Sequence, residues 1–404
     1  MKYQKNIFLK LSALSISILT VILLSQLSSC SSIGGTEVNA EVSQNAVLKT
    51  FGSQIDLNNL ANYTNQSIPA YIRKDNTNNN FITDPGATLG RILFYDKQLS
   101  ADNTIACASC HQQSFAFSDN NAASIGVNGT TDRHAMRLIN SRFSEEEKFF
   151  WDERASTLEE QTTQPIQNHV EMGFSGTNGD FGINDLISKL SAIDYYEELF
   201  TAAFGNSEIT EEKMQNAMAQ FIRSIQSFDS KYDEGRSSAG NNNANFSNFT
   251  STENQGKALF MAPPNFNQNG SRIGGGVGCA GCHRAPEFDI DPNSRNNGVV
   301  TSFNRGFDYE VTRAPSLRDI INPNGILNGN LMHSANFSSI DQVLSHYNEI
   351  PTVTNNLDNR LRPRGRFQQL NITEQERISL IAFIETLTGN DVYTNQKWAD
   401  PFNQ

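Results

Sequence analysis

The chemistry of this chain is concentrated in five cysteines: Cys30, Cys107, Cys110, Cys279 and Cys282. An odd number fits poorly with a simple disulfide framework. Four of them form two pairs at one spacing, each followed by a histidine: Cys107-Ala-Ser-Cys110-His111 and Cys279-Ala-Gly-Cys282-His283. C-x-x-C-H is the spacing of covalent haem c attachment. Two thiols add to the two vinyl groups, and the adjacent histidine is held beneath the iron as an axial ligand. A redox dithiol and half of a zinc site are the rival chemistries. A zinc site leaves the two histidines unexplained, whereas two haem c groups use every cysteine outside the leader. His111 and His283 are then the proximal iron ligands. Two haems leave two classes open. One is an electron carrier with both irons closed by further His, Met, Lys or Tyr ligands; the other is an enzyme with one iron open to a small oxidant.

Both motifs follow a common element. Gly90-Arg-Ile-Leu93-Phe94 precedes the first and Gly256-Lys-Ala-Leu259-Phe260 precedes the second, each a dozen or more residues upstream. The shared G-x-x-L-F … C-A-x-C-H pattern is an internal duplication of a helix followed by a cysteine motif. Elsewhere the apolar spacing is helical: Ile183–Leu190, Ile193–Phe204, and Met214, Met218, Phe221, Ile222, Ile225 and Phe228 after Thr210. Thr373-Glu-Gln-Glu376 is a capping box opening a helix with Ile378, Ile381, Ala382, Ile384 and Leu387 inward, closed by Gly389. Alternating runs are few, so little strand is expected. The fold expected is mainly α: two cytochrome-c-like domains, each with one covalent haem c. Residues 49–236 form the first and 256–392 the second, with an Asn/Ser-rich linker at 237–255 and a tail at 393–404.

The N-terminus reads as an export signal. Lys2, Lys5 and Lys10 precede an uncharged apolar stretch, Leu11 to Leu24, ending in Leu27-Ser-Ser-Cys30. This resembles a bacterial lipobox, so residues 1–29 are expected to be cleaved, Cys30 lipidated, and residues 30–48 to act as a tether holding a soluble body to a membrane. Losing three lysines and no acid takes the net charge from −12 to −15. Such an acidic chain lacks the basic face a nucleic-acid binder needs. It is compatible with a basic cytochrome donor, although net charge locates no docking patch.

Three blocks carry a family resemblance over residues 85–392. Gly90 to Ser100 leads into the first cysteine motif. Phe150-Trp151-Asp-Glu-Arg-Ala155, Leu158-Glu-Glu-Gln161 and Gln167-Asn-His-Val-Glu171-Met-Gly173 form the second block. Arg313-Ala-Pro-Ser-Leu-Arg318, Met332-His333 and His346-Tyr347-Asn348 form the third. Together they resemble the bacterial diheme cytochrome c peroxidases, which include the MauG-type enzymes. The resemblance implies that the first haem reacts with hydrogen peroxide, that Glu171 is its distal acid/base with Gln161 in the same pocket, and that Trp151 lies between the haems. It implies that the second haem receives electrons from a small periplasmic carrier such as cytochrome c. Homodimers are common in the family.

Three departures matter. Family members that require reductive activation place a histidine in an S-x-G-H segment; here it reads Ser124-Ile-Gly-Val127, and valine cannot ligate iron. The first haem is therefore expected to be open in the oxidised protein, with His134 the nearest replacement ligand. His134 also stands where an R-N-A-P asparagine commonly helps bind calcium. Calcium is thereby put in doubt, although Asn328 and Asn330 fall near the family's carbonyl partners. Tyr347 aligns with the second haem's sixth ligand, a methionine in many members, with Met332, His333 and His346 as competitors. The expected function is peroxide reduction. The alternatives are MauG-like oxidation of a protein or small organic substrate, and passive diheme electron transfer.

Overall fold

In the computed structural model, residues 45–402 are described, apart from 78, 145–147, 291, 305, 312, 352 and 353. The export signal, Cys30 and most of the tether lie outside the described residues. Among the described residues, twelve helices carry the fold: α1 (Asn45–Phe51), α2 (Asp84–Tyr95), α3 (Cys107–Cys110), α4 (Leu158–Thr163), α5 (Ile183–Ser191), α6 (Asp194–Phe204), α7 (Glu211–Ser224), α8 (Lys231–Ser238), α9 (Ser251–Met261), α10 (Ile340–Asn348), α11 (Glu374–Glu385) and α12 (Asp391–Thr394). Among the described residues, strand is confined to three antiparallel hairpins of two to four residues per strand, β1–β2 (Ile125–Gly126, Gly129–Thr130), β3–β4 (Pro264–Phe266, Arg272–Gly275) and β5–β6 (His283–Arg284, Asp289–Ile290).

The duplicated G-x-x-L-F segments do the same job twice. In α2, a Cβ on Gly90 would lie 1.9 Å from the Ala217 carbonyl of α7; in α9, one on Gly256 would lie 1.8 Å from the Ser379 carbonyl of α11. Each glycine lets two helix backbones meet. The phenylalanine one turn on then packs against an aromatic of the partner helix. Phe94 meets Phe221, and Phe260 meets Phe383, with ring centroids 5.2 Å apart in both pairs. Gly90→Ala or Gly256→Ala should cost roughly 1–3 kcal/mol through overpacking. Denaturant midpoints of the two variants check this, and an unchanged midpoint would show that the crossings can spread freely.

Side-chain caps fix where these helices begin. Thr83 accepts from Gly86 N (3.1 Å) and Thr210 from Lys213 N (3.2 Å). Thr250–Glu253 and Thr373–Glu376 are reciprocal capping boxes. Because Thr250 caps α9, that helix starts at Ser251, and residues 251–255 of the expected linker are helical. The expected inward face of α11 also needs correction. Ile378 is 48% exposed, while Ser379, Leu380, Phe383 and Ile384 are buried, because the approach of Gly256 to Ser379 sets the interface.

The expected tail is a strap. Trp398 is buried, Arg91 Nε donates to the Ala399 carbonyl (2.6 Å), Tyr95 Oη donates to the Trp398 carbonyl (2.7 Å), and Phe402 packs edge-on against Phe51 at 5.0 Å. Residues following the second half thus close over the first, and Val42–Gln404 forms one compact unit.

Candidate functional site

The first cysteine motif is the single turn α3. Ala106 N donates to Ser109 Oγ (3.0 Å), closing the turn, and positions 107 and 110 fall on one face of it. The chain after His111 folds back through Ala116 and Phe117, both at positive φ, which brings the Phe117 carbonyl to 3.2 Å from His111 Nδ1. At the second motif His283 Nδ1 lies 3.0 Å from the Pro315 carbonyl. A carbonyl only accepts, so each Nδ1 carries the proton and each Nε2 keeps a lone pair. Burial lowers the pKa of both rings, that of His283 to about 4, so both are neutral. A neutral imidazole anchored through Nδ1 is the form that ligates a metal.

The thiols fit the same chemistry. All four are free. Burial pushes Cys107 and Cys279 up to about 12 and Cys110 to about 11. A redox dithiol needs a stabilised thiolate, which these surroundings disfavour.

A cavity opens over the first motif. Cys107, Cys110 and His111 line it, as do Gln161 and Glu171, with Phe94, Met218 and Ile222 among its apolar walls. The lining is mostly apolar with a few polar groups, as in a site for an apolar ligand. Gln161 is on α4, whose start Thr157 caps. Glu171 is in a loop built by Asn168, whose Oδ1 accepts from Val170 N (2.8 Å) and Glu171 N (3.1 Å), and whose carbonyl accepts from Gly173 N (2.9 Å). The β1–β2 hairpin lies against this loop. Val127 N donates to the Glu171 carbonyl (3.0 Å), and at Gly126 a Cβ would sit 2.2 Å from the Val170 carbonyl. Burial is the main influence on the half-buried Glu171; it raises the carboxyl pKa to about 7 against the opposing pull of Arg154.

The other candidates fall elsewhere. His134 is buried, with Nδ1 against the carbonyls of Asn121 (3.0 Å) and Ala122 (3.3 Å). His169 pairs with Asp180 at 2.8 Å. Trp151 is buried where segments of the two halves meet. Its Nε1 donates to the His134 carbonyl (2.8 Å), its carbonyl accepts from Arg313 N (3.1 Å), and its ring is edge-on to His333 at 6.0 Å.

At the second motif, half-buried Tyr347 on α10 packs in the same core cluster as Cys279. Burial beside Cys282 raises its phenol above the ordinary range, so only a cation against the oxygen would draw off the proton. Asn297 Nδ2 approaches both Tyr347 Oη (3.1 Å) and Met332 Sδ (3.4 Å). His346 Nε2 is held by the Asn297 carbonyl (2.9 Å) and His333 Nε2 by the Thr301 carbonyl (3.1 Å). Asn328 is buried, with Nδ2 donating to the Asp319 carbonyl, and Asn330 Nδ2 donates to the Ala335 carbonyl. Sequence reasoning missed Asn168 and Asn297. An asparagine three residues before Glu171 is a turn signal; Asn297 has none, since its partners are 35 and 50 residues away.

Two neutral histidines, each anchored beside a pair of thiols in a helix-rich chain, are the arrangement that covalent haem attachment requires. Residues 84–241 match the family described as di-haem cytochrome c peroxidase. The methylamine utilization protein MauG of Methylophilus methylotrophus is 28% identical over 337 residues, spanning 80% of this chain and 86% of that protein. Cytochrome c551 peroxidase of Nitrosomonas europaea is 27% identical over 75% of this chain and 80% of that protein. The crystal structure of a MauG-like protein associated with microbial copper homeostasis superposes with a TM-score of 0.64 at 25% identity, covering 84% of this chain and 99% of that one. Residues 84–241 thus match the di-haem cytochrome c peroxidase family, and three quarters or more of the chain is similar to MauG and cytochrome c peroxidase proteins.

Proposed function

We propose that this protein carries two haem c groups and reduces hydrogen peroxide to water at the first motif, with electrons delivered through the second. The observation that carries this reading is the presence of Glu171 and Gln161 in the cavity lined by Cys107, Cys110 and His111. Cys107, Cys110 and His111 would hold a haem there, whose iron would supply the centre for O–O cleavage. Glu171 takes the proton from the near peroxide oxygen and returns one to the far oxygen, while the Gln161 amide orients the peroxide. The apolar walls exclude bulk water, and Trp151 connects the two motifs. Tyr347 supplies the oxygen ligand at the second motif, with Asn297 positioning it. The protein is read as exported and tethered through Cys30, its halves being the cytochrome-c-like units 49–236 and 256–392.

Turnover of peroxide with a reduced small cytochrome c tests this function directly. Rapid, stoichiometric oxidation of the cytochrome is expected. MauG-like oxidation of a protein or organic substrate is the second reading, favoured by Tyr347 at the second motif and Val127 at the first. It gains if peroxide is consumed by the oxidised protein while cytochrome oxidation stays slow. Inertness toward peroxide would indicate a passive carrier.

Replacing Tyr347 by Phe removes the oxygen donor. The second haem's absorption and reduction potential should change, the potential upward because a phenolate favours ferric iron, while the first haem's stay put. Spectroelectrochemistry separates the two, and an unaltered second haem would remove Tyr347 from the ligand set.

A further inference from the structure

We propose that Arg362, Arg364 and Arg366, with Phe367, form the docking surface for a small acidic electron-carrying protein beside the second motif. The proposal deepens the functional reading above, because it rests on electrons entering there. Residues 359–367 hold four arginines and no acid, in a chain with 43 acidic and 31 basic residues. This is a local reversal of sign.

The segment adjoins the second site through three contacts. Arg360 donates to the carbonyl of Gly281, inside the cysteine motif. Leu361 is buried in a cluster that Tyr347 packs against. Gln368 Nε2 donates to the Tyr347 carbonyl at 2.6 Å. Gly281 itself is exposed, so the motif reaches the surface where the arginines begin.

The arginines do not share one state. Arg360 is spent on Asp358, at 2.6 Å. Arg364 and Arg366 are exposed, and their guanidinium groups make no ion pair or hydrogen bond among the described residues. Arg364 occupies a positive-φ turn (φ 54°) with Gly365 (φ 74°). Phe367 is 37% exposed, 5.9 Å from the Arg362 guanidinium. Exposed Arg295, whose N–H is bound by Asp358 (2.8 Å), extends the positive field on the other side. An apolar centre ringed by uncompensated charge of one sign is the anatomy of an electrostatically steered, short-lived interface. The whole-chain charge favours a basic donor, but a field at the docking point acts over about one Debye length, ~8–10 Å, so the local arginines outweigh distant acids. An anionic bilayer has the same charge chemistry. It is disfavoured because seating this segment on a membrane would bury the edge of the second motif that a carrier has to approach.

The test uses the haem-loaded protein and its Arg364→Gln/Arg366→Gln variant. Binding of a small acidic cytochrome c and of a strongly basic one is measured by titration at low and high salt. Peroxide turnover with each, divided by turnover with an uncharged hydroquinone, reports electron entry. Tighter binding of the acidic carrier, weakening with salt and falling about tenfold in the variant, is expected. The normalised turnover should fall with it. Preference for the basic carrier, or acidic-carrier binding unmoved by the substitutions, overturns the proposal. So does stronger arginine-dependent binding to phosphatidylglycerol vesicles than to the acidic carrier. Failure of hydroquinone turnover alone would instead count against the functional reading, with the binding comparison still deciding the patch.

Discussion

Glu171→Gln is expected to slow the reaction of the oxidised protein with hydrogen peroxide by about 10²–10⁴-fold, the span typical of a positioned acid/base. Glutamine keeps the shape and the loop hydrogen bonds, which run through the backbone and Asn168. What it loses is a proton acceptor. The sign of the pH dependence follows from burial, which raises the carboxyl to about 7. The carboxylate is the form that accepts the peroxide proton, so the rate constant should rise with pH through about 7 and fall below it. In the glutamine variant that inflection should vanish. Covalent haem content should be unchanged, because the residue is not in a cysteine motif. Stopped-flow rate constants across pH check both points. A variant that keeps the wild-type rate would place the acid/base elsewhere in the cavity.

Asp233→Ala should be the most damaging single change away from the cofactors, costing roughly 3–5 kcal/mol. Arg318 has 0% exposure and is clasped bidentately by Asp233, Nη1 to Oδ2 and Nη2 to Oδ1, both at 2.8 Å. Nη2 also donates to the Pro286 carbonyl at 2.8 Å, and Tyr71 Oη donates to Asp233 Oδ1 at 2.6 Å. Phe228, Tyr232 and Phe288 surround the guanidinium at 5.2–5.8 Å. Removing the carboxylate leaves a desolvated cation in an aromatic cage. Removing both charges, as in Asp233→Leu with Arg318→Met, should cost much less, since the pair repays little beyond its own desolvation. Burial is the largest single influence on Asp233 and raises its pKa, but the Arg318 charge and the hydrogen bonds from Arg318, Ser230 and Tyr71 together outweigh it and leave the pKa depressed. Its contribution is therefore present above the ordinary carboxylate range and lost as pH falls through the depressed value. Denaturant unfolding of the two variants separates the cases; a loss below 1 kcal/mol for Asp233→Ala would show that the cation finds water.

Much of the site could be read from local spacing, and the exceptions share a cause. The cysteine motifs are five contiguous residues, and the glycine–phenylalanine pairs are one helical turn apart, so both lie open in the sequence. Glu171 was identifiable only through the surrounding E-M-G context. The carbonyls of Phe117 and Pro315 that orient the two histidines were invisible, because a backbone carbonyl has no sequence identity; Pro315 is 32 residues from His283. Asn297, the Asp233–Arg318 clasp and the Trp398 strap are likewise long-range contacts between residues unremarkable alone. The α11 face was misread because Ile378, Ile381 and Leu380 offer two nearly equal apolar stripes. The close approach of Gly256, and not hydrophobicity, decides between them.

We propose that the first site admits peroxide without prior reduction, because Val127 has no ligating atom and His134 Nδ1 is held by the carbonyls of Asn121 and Ala122. Rapid mixing of the fully oxidised, haem-loaded protein with one equivalent of hydrogen peroxide tests it most directly. A fast change in haem absorption is expected. An unchanged spectrum, with reactivity appearing only after the second haem is reduced, would mean that a ligand closes the first iron and would contradict the claim.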